Sequence, residues 1–289
     1  MKKILSVLIL ISLILVGCGK KDNQVQQDPV QPQESARVEE EKVENKIEVE
    51  QEKEVPVDTE FSKLDNKKYG WGFKRSTNNE VPGFDSKTKS LMEKYGAIYL
   101  ADTSKKTLYL TFDEGYENGY TAQILDVLKA NNVKAAFFIT GPYLKKEADL
   151  VKRMVDEGHT VGNHTINHPS MPSVTDDKKL EEEILQLDRM FYEKYGKHMK
   201  YIRPPMGEYS ERTLALSKSL GYTSVFWSFA YKDWEVDNQK GTDYARETVL
   251  KGIHPGAVIL LHAVSKDNAN ALDSIIKGAR EMGYEFGEF

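Results

Sequence analysis

The chain has 289 residues, a formal net charge of -5 and one cysteine. That charge argues against nucleic acid as a partner, and the single cysteine excludes an intrachain disulfide framework. The 3 Trp, 15 Tyr and 11 Phe residues all lie at or after Phe61, so a packed core belongs to that part alone.

The N-terminus reads as an export signal. Lys2-Lys3 precede an apolar run, Ile4 to Val16, that is too short to span a membrane. Leu15-Val16-Gly17-Cys18 matches a bacterial lipobox, so residues 1–18 form a lipoprotein signal and Cys18 is the expected lipidation site. A plain secretory signal is the alternative. Residues 19–60 are expected to form a disordered acidic tether. Glu34 to Glu54 is rich in glutamate and lacks the apolar side chains that would offset the entropy of ordering.

Residues 61–289 form the expected folded domain. An irregular lead-in, Phe61 to Ala97, carries a short helix near 86–95. Strands are then predicted near 106–112, 134–139, 159–163, 199–202, 224–228, 257–261 and 284–288. Helices are predicted near 120–131, 145–157, 176–195, 210–220, 242–252 and 268–282. Ala135-Ala136-Phe137-Phe138-Ile139 is apolar throughout, as a strand covered on both faces requires. Leu180, Ile184, Leu187 and Phe191 recur at helical spacing. Such alternation means an α/β fold with a parallel sheet, and seven strand-helix pairs favour a barrel over an open doubly wound sheet.

The chemically capable residues fall at strand ends, which in a parallel barrel converge on one face. Asp113-Glu114-Gly115 places two acids side by side, and both reach one site only if the strand breaks up there. A solvated acidic turn is the alternative. His164-Thr165-Ile166-Asn167-His168-Pro169 brings two imidazoles together from a loop, because Pro169 disfavours helical backbone at His168. Two imidazoles and a carboxylate leave open positions on a divalent ion, the layout of a catalytic metal site. Arg203-Pro204-Pro205 presents a guanidinium at a fixed place, with Asp113 the obvious partner. His262 ends an apolar strand, and an aspartate such as Asp233 on its other ring nitrogen would fit it for acid catalysis. Trp234 could stack on a sugar face. These features point to a metal-dependent hydrolase.

In this order, Thr-Phe-Asp-Glu-Gly, His-Thr-Ile-Asn-His, Arg-Pro-Pro, Asp-Trp and Leu-Leu-His, the motifs resemble the polysaccharide deacetylase family (NodB homology, carbohydrate esterase family 4) across roughly residues 100–288. The resemblance implies a distorted (β/α)7 barrel and hydrolysis of an N-acetyl amide. It implies His164, His168 and Glu114 as ligands of a divalent metal ion, zinc being the first choice, and Asp113, Arg203, His262 and Asp233 as the catalytic set. The family usually has a second aspartate where this chain has Glu114.

Trp71-Gly72-Phe73, Tyr116 to Thr121, Phe226-Trp227-Ser228 and His262 to Asn268 resemble the branch that makes muramic-δ-lactam in spore cortex. That branch acts on N-acetylmuramic acid in peptidoglycan glycan strands whose stem peptides an amidase has removed. A freed lactyl carboxylate needs a cation, and Lys266 is the candidate. The expected place is the extracytoplasmic face of the cell membrane, held by the lipid anchor, with the forespore envelope as one setting. Two alternatives stand beside this: an N-acetylglucosamine deacetylase, and a non-catalytic anchored glycan-binding protein.

Overall fold

The computed structural model describes Phe61 and residues 63–289; the signal, Cys18 and the tether lie outside the described residues. The core grows from β2 (Thr107–Glu114), in which Leu108, Leu110 and Phe112 are buried. β3 (Ala135–Ile139) is buried at all five positions, so the sheet is covered on both faces there as its apolar run predicts. Around them stand β4 (Thr160–Asn163), β5 (Tyr201–Ile202), β7 (Thr223–Ser224), β8 (Phe229–Ala230), β9 (Val258–His262) and β10 (Glu285–Phe286).

The order across the sheet is β7-β5-β4-β3-β2-β9-β8, with β10 joining the start of β2, and all pairings are parallel. This is a curled α/β sheet, a barrel with one open seam. The seam lies between β7 and β8, where a single strand at 224–228 was expected. The chain instead leaves the sheet at Val225–Trp227 and re-enters at Phe229.

Part of the irregular lead-in fills that seam. Ile98 bridges to Val225, and Trp71 stacks on Phe226 with ring centroids 4.6 Å apart. Trp71 Nε1 donates to the carbonyl of Trp227 at 2.8 Å. β1 (Tyr69–Gly70) pairs antiparallel with β6 (Glu208–Tyr209), bringing Gly207 against Trp227. Gly207 has φ +64, and a Cβ there would come within 2.8 Å of the indole, so both conformation and space select glycine.

The helices are α1 (Ser86–Tyr95), α2 (Thr121–Ala130), α3 (Gly141–Lys146), α4 (Ala148–Asp156), α5 (Asp177–Tyr195), α6 (Glu211–Ser219), α7 (Thr242–Gly252) and α8 (Lys266–Glu281). α5 buries Leu180, Ile184, Leu187 and Phe191 on one stripe, each contributing roughly 1.5–3 kcal/mol. Asp176 caps its start by accepting from Lys179 N, and Gly196 in the left-handed region ends it. The helix expected over 145–157 is two helices, because Thr140 caps a turn starting at Gly141 and the backbone leaves helical geometry at Glu147.

Candidate active site

The register of the sheet sets which strand ends meet. Asp113 lies opposite His262 across β2 and β9, and Asn163 at the end of β4 lies opposite Ile202 at the end of β5. Asp113, His164, His168 and His262 therefore line one cavity of about 720 Å³. Tyr116, Met206 and Trp234 are exposed apolar side chains on its walls, with Trp227 and Val264 beside them.

Arg203 is fully buried, and its Nη1 donates to Asp113 Oδ1 at 2.7 Å. Its Nε donates to the carbonyl of Val225 at 3.1 Å, and the guanidinium lies 4.2 Å from the Phe138 ring centroid. Burial alone would raise the Asp113 carboxyl. The charge of Arg203 first, then those that His164 and His262 carry when protonated, outweigh it and hold the group below the usual range. Asp113 is thus an ionised base with one oxygen tied to arginine and Oδ2 facing His164 Nε2 at 3.6 Å.

The histidine loop is built to aim two imidazole nitrogens at one point. Asn163 Oδ1 accepts from Thr165 N at 2.8 Å, and Thr165 Oγ1 accepts from His168 N at 3.0 Å. Thr165 and His168 have φ +65 and +58, each costing about 1–2 kcal/mol that those hydrogen bonds help to offset. His168 departs from helical backbone, as the following proline required. His164 Nδ1 donates to the carbonyl of Arg203 at 2.7 Å, which leaves the Nε2 lone pair free. His164 Nε2 and His168 Nε2 are 3.2 Å apart. Two nitrogens bound to one ion at about 2.0–2.1 Å would be separated by roughly 3.0–3.4 Å, so the pair fits neighbouring ligands of a divalent metal. Burial keeps both imidazoles neutral, lowering His164 to about 4 and His168 in the same direction.

Glu114 does not join them. The sequence reading needed β2 to break up at the acidic pair, but β2 stays paired with Ile139 through Glu114. Strand alternation therefore turns Glu114 to the face opposite Asp113. There it is fully buried beside Glu117, Thr121 and Tyr143, and neither carboxyl oxygen has a hydrogen-bond partner. Among the described residues no third His, Cys, Asp or Glu completes a metal cluster with the histidines. Asp113 comes nearest and is committed to Arg203.

Burial, then the charges of Glu117 and Asp113, push Glu114 well above the usual carboxylate range and favour its protonated form. A raised carboxyl leaves stability intact below its unfolded value and erodes it as pH rises toward the folded one. Glu114→Gln should therefore leave bound metal unchanged. It should also be more stable than the native protein by about 1–3 kcal/mol at pH 8, with the gap closing below about pH 4.5. Melting curves across that range and metal titration check both statements.

Asp233 and His262 pair as expected. His262 Nδ1 donates to Asp233 Oδ1 at 2.8 Å, and His262 N donates to Oδ2 at 2.9 Å. Burial would lower the imidazole, but Asp233 and then Asp113 more than compensate, so His262 titrates above its ordinary value. Trp234 packs edge-on to His262 with centroids 5.4 Å apart and is half-exposed to the cavity, as a sugar platform would be. Lys266 is not in the cavity. It is the first residue of α8 and is exposed, because Ser265 caps the helix and turns the chain outward. Asn268, which ends the His262 to Asn268 motif but is given no role there, and Tyr231, which no motif contains, stand directly behind the site. Asn268 Nδ2 donates to Asp233 Oδ2 at 2.5 Å, and Tyr231 donates its hydroxyl to Asn268 Oδ1.

Residues 101–225 match the polysaccharide deacetylase family. Over 222 residues the chain is 48% identical to the peptidoglycan-N-acetylmuramic acid deacetylase PdaA of Bacillus subtilis, covering 76% of this chain and 84% of that protein. This chain belongs to the polysaccharide deacetylase family. The family 4 carbohydrate esterase structure of Bacillus subtilis PdaA superposes with a TM-score of 0.76 at 46% identity, covering 78% of this chain and 96% of that one. A peptidoglycan-N-acetylglucosamine deacetylase of Bacillus cereus is 35% identical over 201 residues, covering 68% of this chain and 72% of that protein. Of the residues that the sequence motifs single out, Asp113, His164, His168 and His262 line the cavity, Arg203 and Asp233 stand behind it on Asp113 and His262, and Glu114 lies outside it.

Proposed function

We propose that this protein removes the N-acetyl group from N-acetylmuramic acid in peptidoglycan. The observation that carries the reading is the cavity itself, where an ionised Asp113 and a raised His262 flank two neutral, inward-facing imidazoles. The 48% identity to a named N-acetylmuramic acid deacetylase supplies the substrate.

A divalent ion on His164 and His168, zinc by preference, would polarise the acetamide carbonyl and acidify the attacking water. Asp113 takes the water's proton on Oδ2 while Arg203 holds Oδ1 in place. The water oxygen bonds to the carbonyl carbon. As the C–N bond breaks, His262 gives its Nε2 proton to the amine nitrogen, because Nδ1 is already held by Asp233. Acetate and a free amine leave, and Trp234 keeps the sugar ring against the wall. The amine can then close on the lactyl carboxyl with loss of water, giving muramic-δ-lactam. That ring needs a free carboxyl, which places the reaction after an amidase.

N-acetylglucosamine is the second reading, because Lys266 is outside the cavity and, among the described residues, no lysine lines it to meet a lactyl carboxylate. Mass spectrometry of muropeptides separates the two. Peptide-free glycan strands should lose acetate from muramic acid residues at least ~10-fold faster than N-acetylglucosamine oligomers do, a difference of about 1.4 kcal/mol in transition-state binding. Preference for the oligomers would replace the muramic acid reading and leave the deacetylase reading in place.

The export signal and Cys18 support anchoring to the outer face of the cell membrane, with the spore cortex as the setting where muramic-δ-lactam is made. Release of Cys18→Ala from the membrane fraction tests the anchor.

A further inference from the structure

We infer that Asn268 and Tyr231 form a positioning relay that fixes the orientation of Asp233 and sets the proton affinity of His262. The inference rests on the deacetylase reading, in which His262 is the acid. Asp233 is buried at 3% exposure and can only accept hydrogen bonds when ionised. Oδ1 takes His262 Nδ1–H; Oδ2 takes His262 N–H and Asn268 Nδ2–H.

Asn268 is 1% exposed, and its amide is oriented from behind. Tyr231 donates to its Oδ1, so Nδ2 is the end left facing Asp233 and, at 3.3 Å, the carbonyl of His262. Burial, then the charges of Asp233 and Asp267, keep the Tyr231 hydroxyl protonated and therefore a donor. Tyr231 lies just after β8, Asp233 in the loop beyond it and Asn268 in the first turn of α8, so the relay ties three parts of the chain to one carboxylate. Gln239 secures the loop from its far side by donating to the carbonyl of Asp233 at 3.0 Å and accepting from Ser265 Oγ at 2.7 Å.

The consequence for His262 has a definite sign. Each donor to Asp233 draws off part of the negative charge that stabilises the imidazolium. Removing the Asn268 donor leaves that charge more fully available, so His262 should hold its proton to higher pH. The other charged or titratable groups around His262 are Asp113 on β2, Arg203 after β5 and His168 in the histidine loop, and none of them touches Asn268 in this network.

Asn268→Ala, Asn268→Asp and Tyr231→Phe test the relay in the full, zinc-loaded chain. The helix cap survives in all three, because Ser265 Oγ accepts from the backbone N–H of residue 268. Imidazole NMR titration should place His262 about one pH unit higher in Asn268→Ala, further up in Asn268→Asp and less so in Tyr231→Phe. The alkaline fall in kcat should move the same way. At pH 7, kcat for acetate release should fall ~10-fold in Asn268→Ala with KM changed less than ~2-fold, since the loss acts through the acid alone. A His262 titration that is unchanged or lower in Asn268→Ala overturns the relay, even with a lower kcat, because a merely structural residue would give that result. Native protein that releases no acetate from any glycan would instead sink the deacetylase reading, with the NMR titration still reporting on the relay.

Discussion

His164→Ala and His168→Ala should each cut acetate release by roughly 10²–10³-fold or more, the several kcal/mol that a metal contributes to stabilising developing charge. Bound divalent metal should fall with it. Loss of a surrounding hydrogen bond alone typically weakens a site 10–100-fold, and here one of two histidine donors disappears, so affinity should drop by more than ~100-fold. The two variants should nonetheless differ in stability. His164 is 3% exposed and its Nδ1 satisfies the Arg203 carbonyl, so its removal orphans a buried acceptor and should cost about 1–3 kcal/mol. His168 is far more exposed than His164 and sits in the left-handed region, so its removal should cost less. Equilibrium dialysis, melting curves and acetate assays on the same preparations check the three effects. Full metal binding by both variants would overturn the two-histidine cradle.

Much of this site was legible because its residues end strands. Apolar runs such as Ala135–Ile139 and the stripe of α5 located the elements, and a parallel sheet leaves little choice about where the ends meet. Proline after His168 and after Arg203 made those backbones readable as loop and extended segment. What failed depended on register and direction. Whether β2 stops at Asp113 or runs through Glu114 is decided by pairing with β3, which no local pattern encodes, and one residue of strand reverses the side chain. Lys266 failed for a similar reason. Its distance along the chain from His262 is short, but the Ser265 cap starts a helix that carries it away from the cavity. The strand expected over 224–228 contains Phe226 and Trp227, whose aromatic character suits a strand equally well as the seam where they meet Trp71. Asn268 and Tyr231 stand 37 residues apart in sequence, and only the packing of α8 against the end of β8 makes them neighbours.

Arg203→Met should have the largest effect on stability, about 3–5 kcal/mol at pH 7, because it leaves Asp113 buried and unpaired. The sign of the pH dependence should reverse with it. In the native protein Asp113 is held below its ordinary value, so its contribution is present above about pH 4 and fades as pH falls through the lowered value. Without Arg203 burial dominates and the carboxyl should rise above its ordinary value. The variant is then least impaired in acid and loses further stability as pH increases through the carboxylate range. Activity at neutral pH should also vanish, since a protonated Asp113 cannot take the water's proton. Arg203→Met combined with Asp113→Asn removes both charges, and such neutral replacements of a buried pair tend to be tolerated. The double variant should therefore recover most of the lost stability while remaining inactive. Chemical denaturation of native, single and double variants between pH 4 and 9 measures the coupling. A single variant as stable as native at pH 8 would show that Arg203 is not what keeps Asp113 charged, and the base would then need another source of its ionisation.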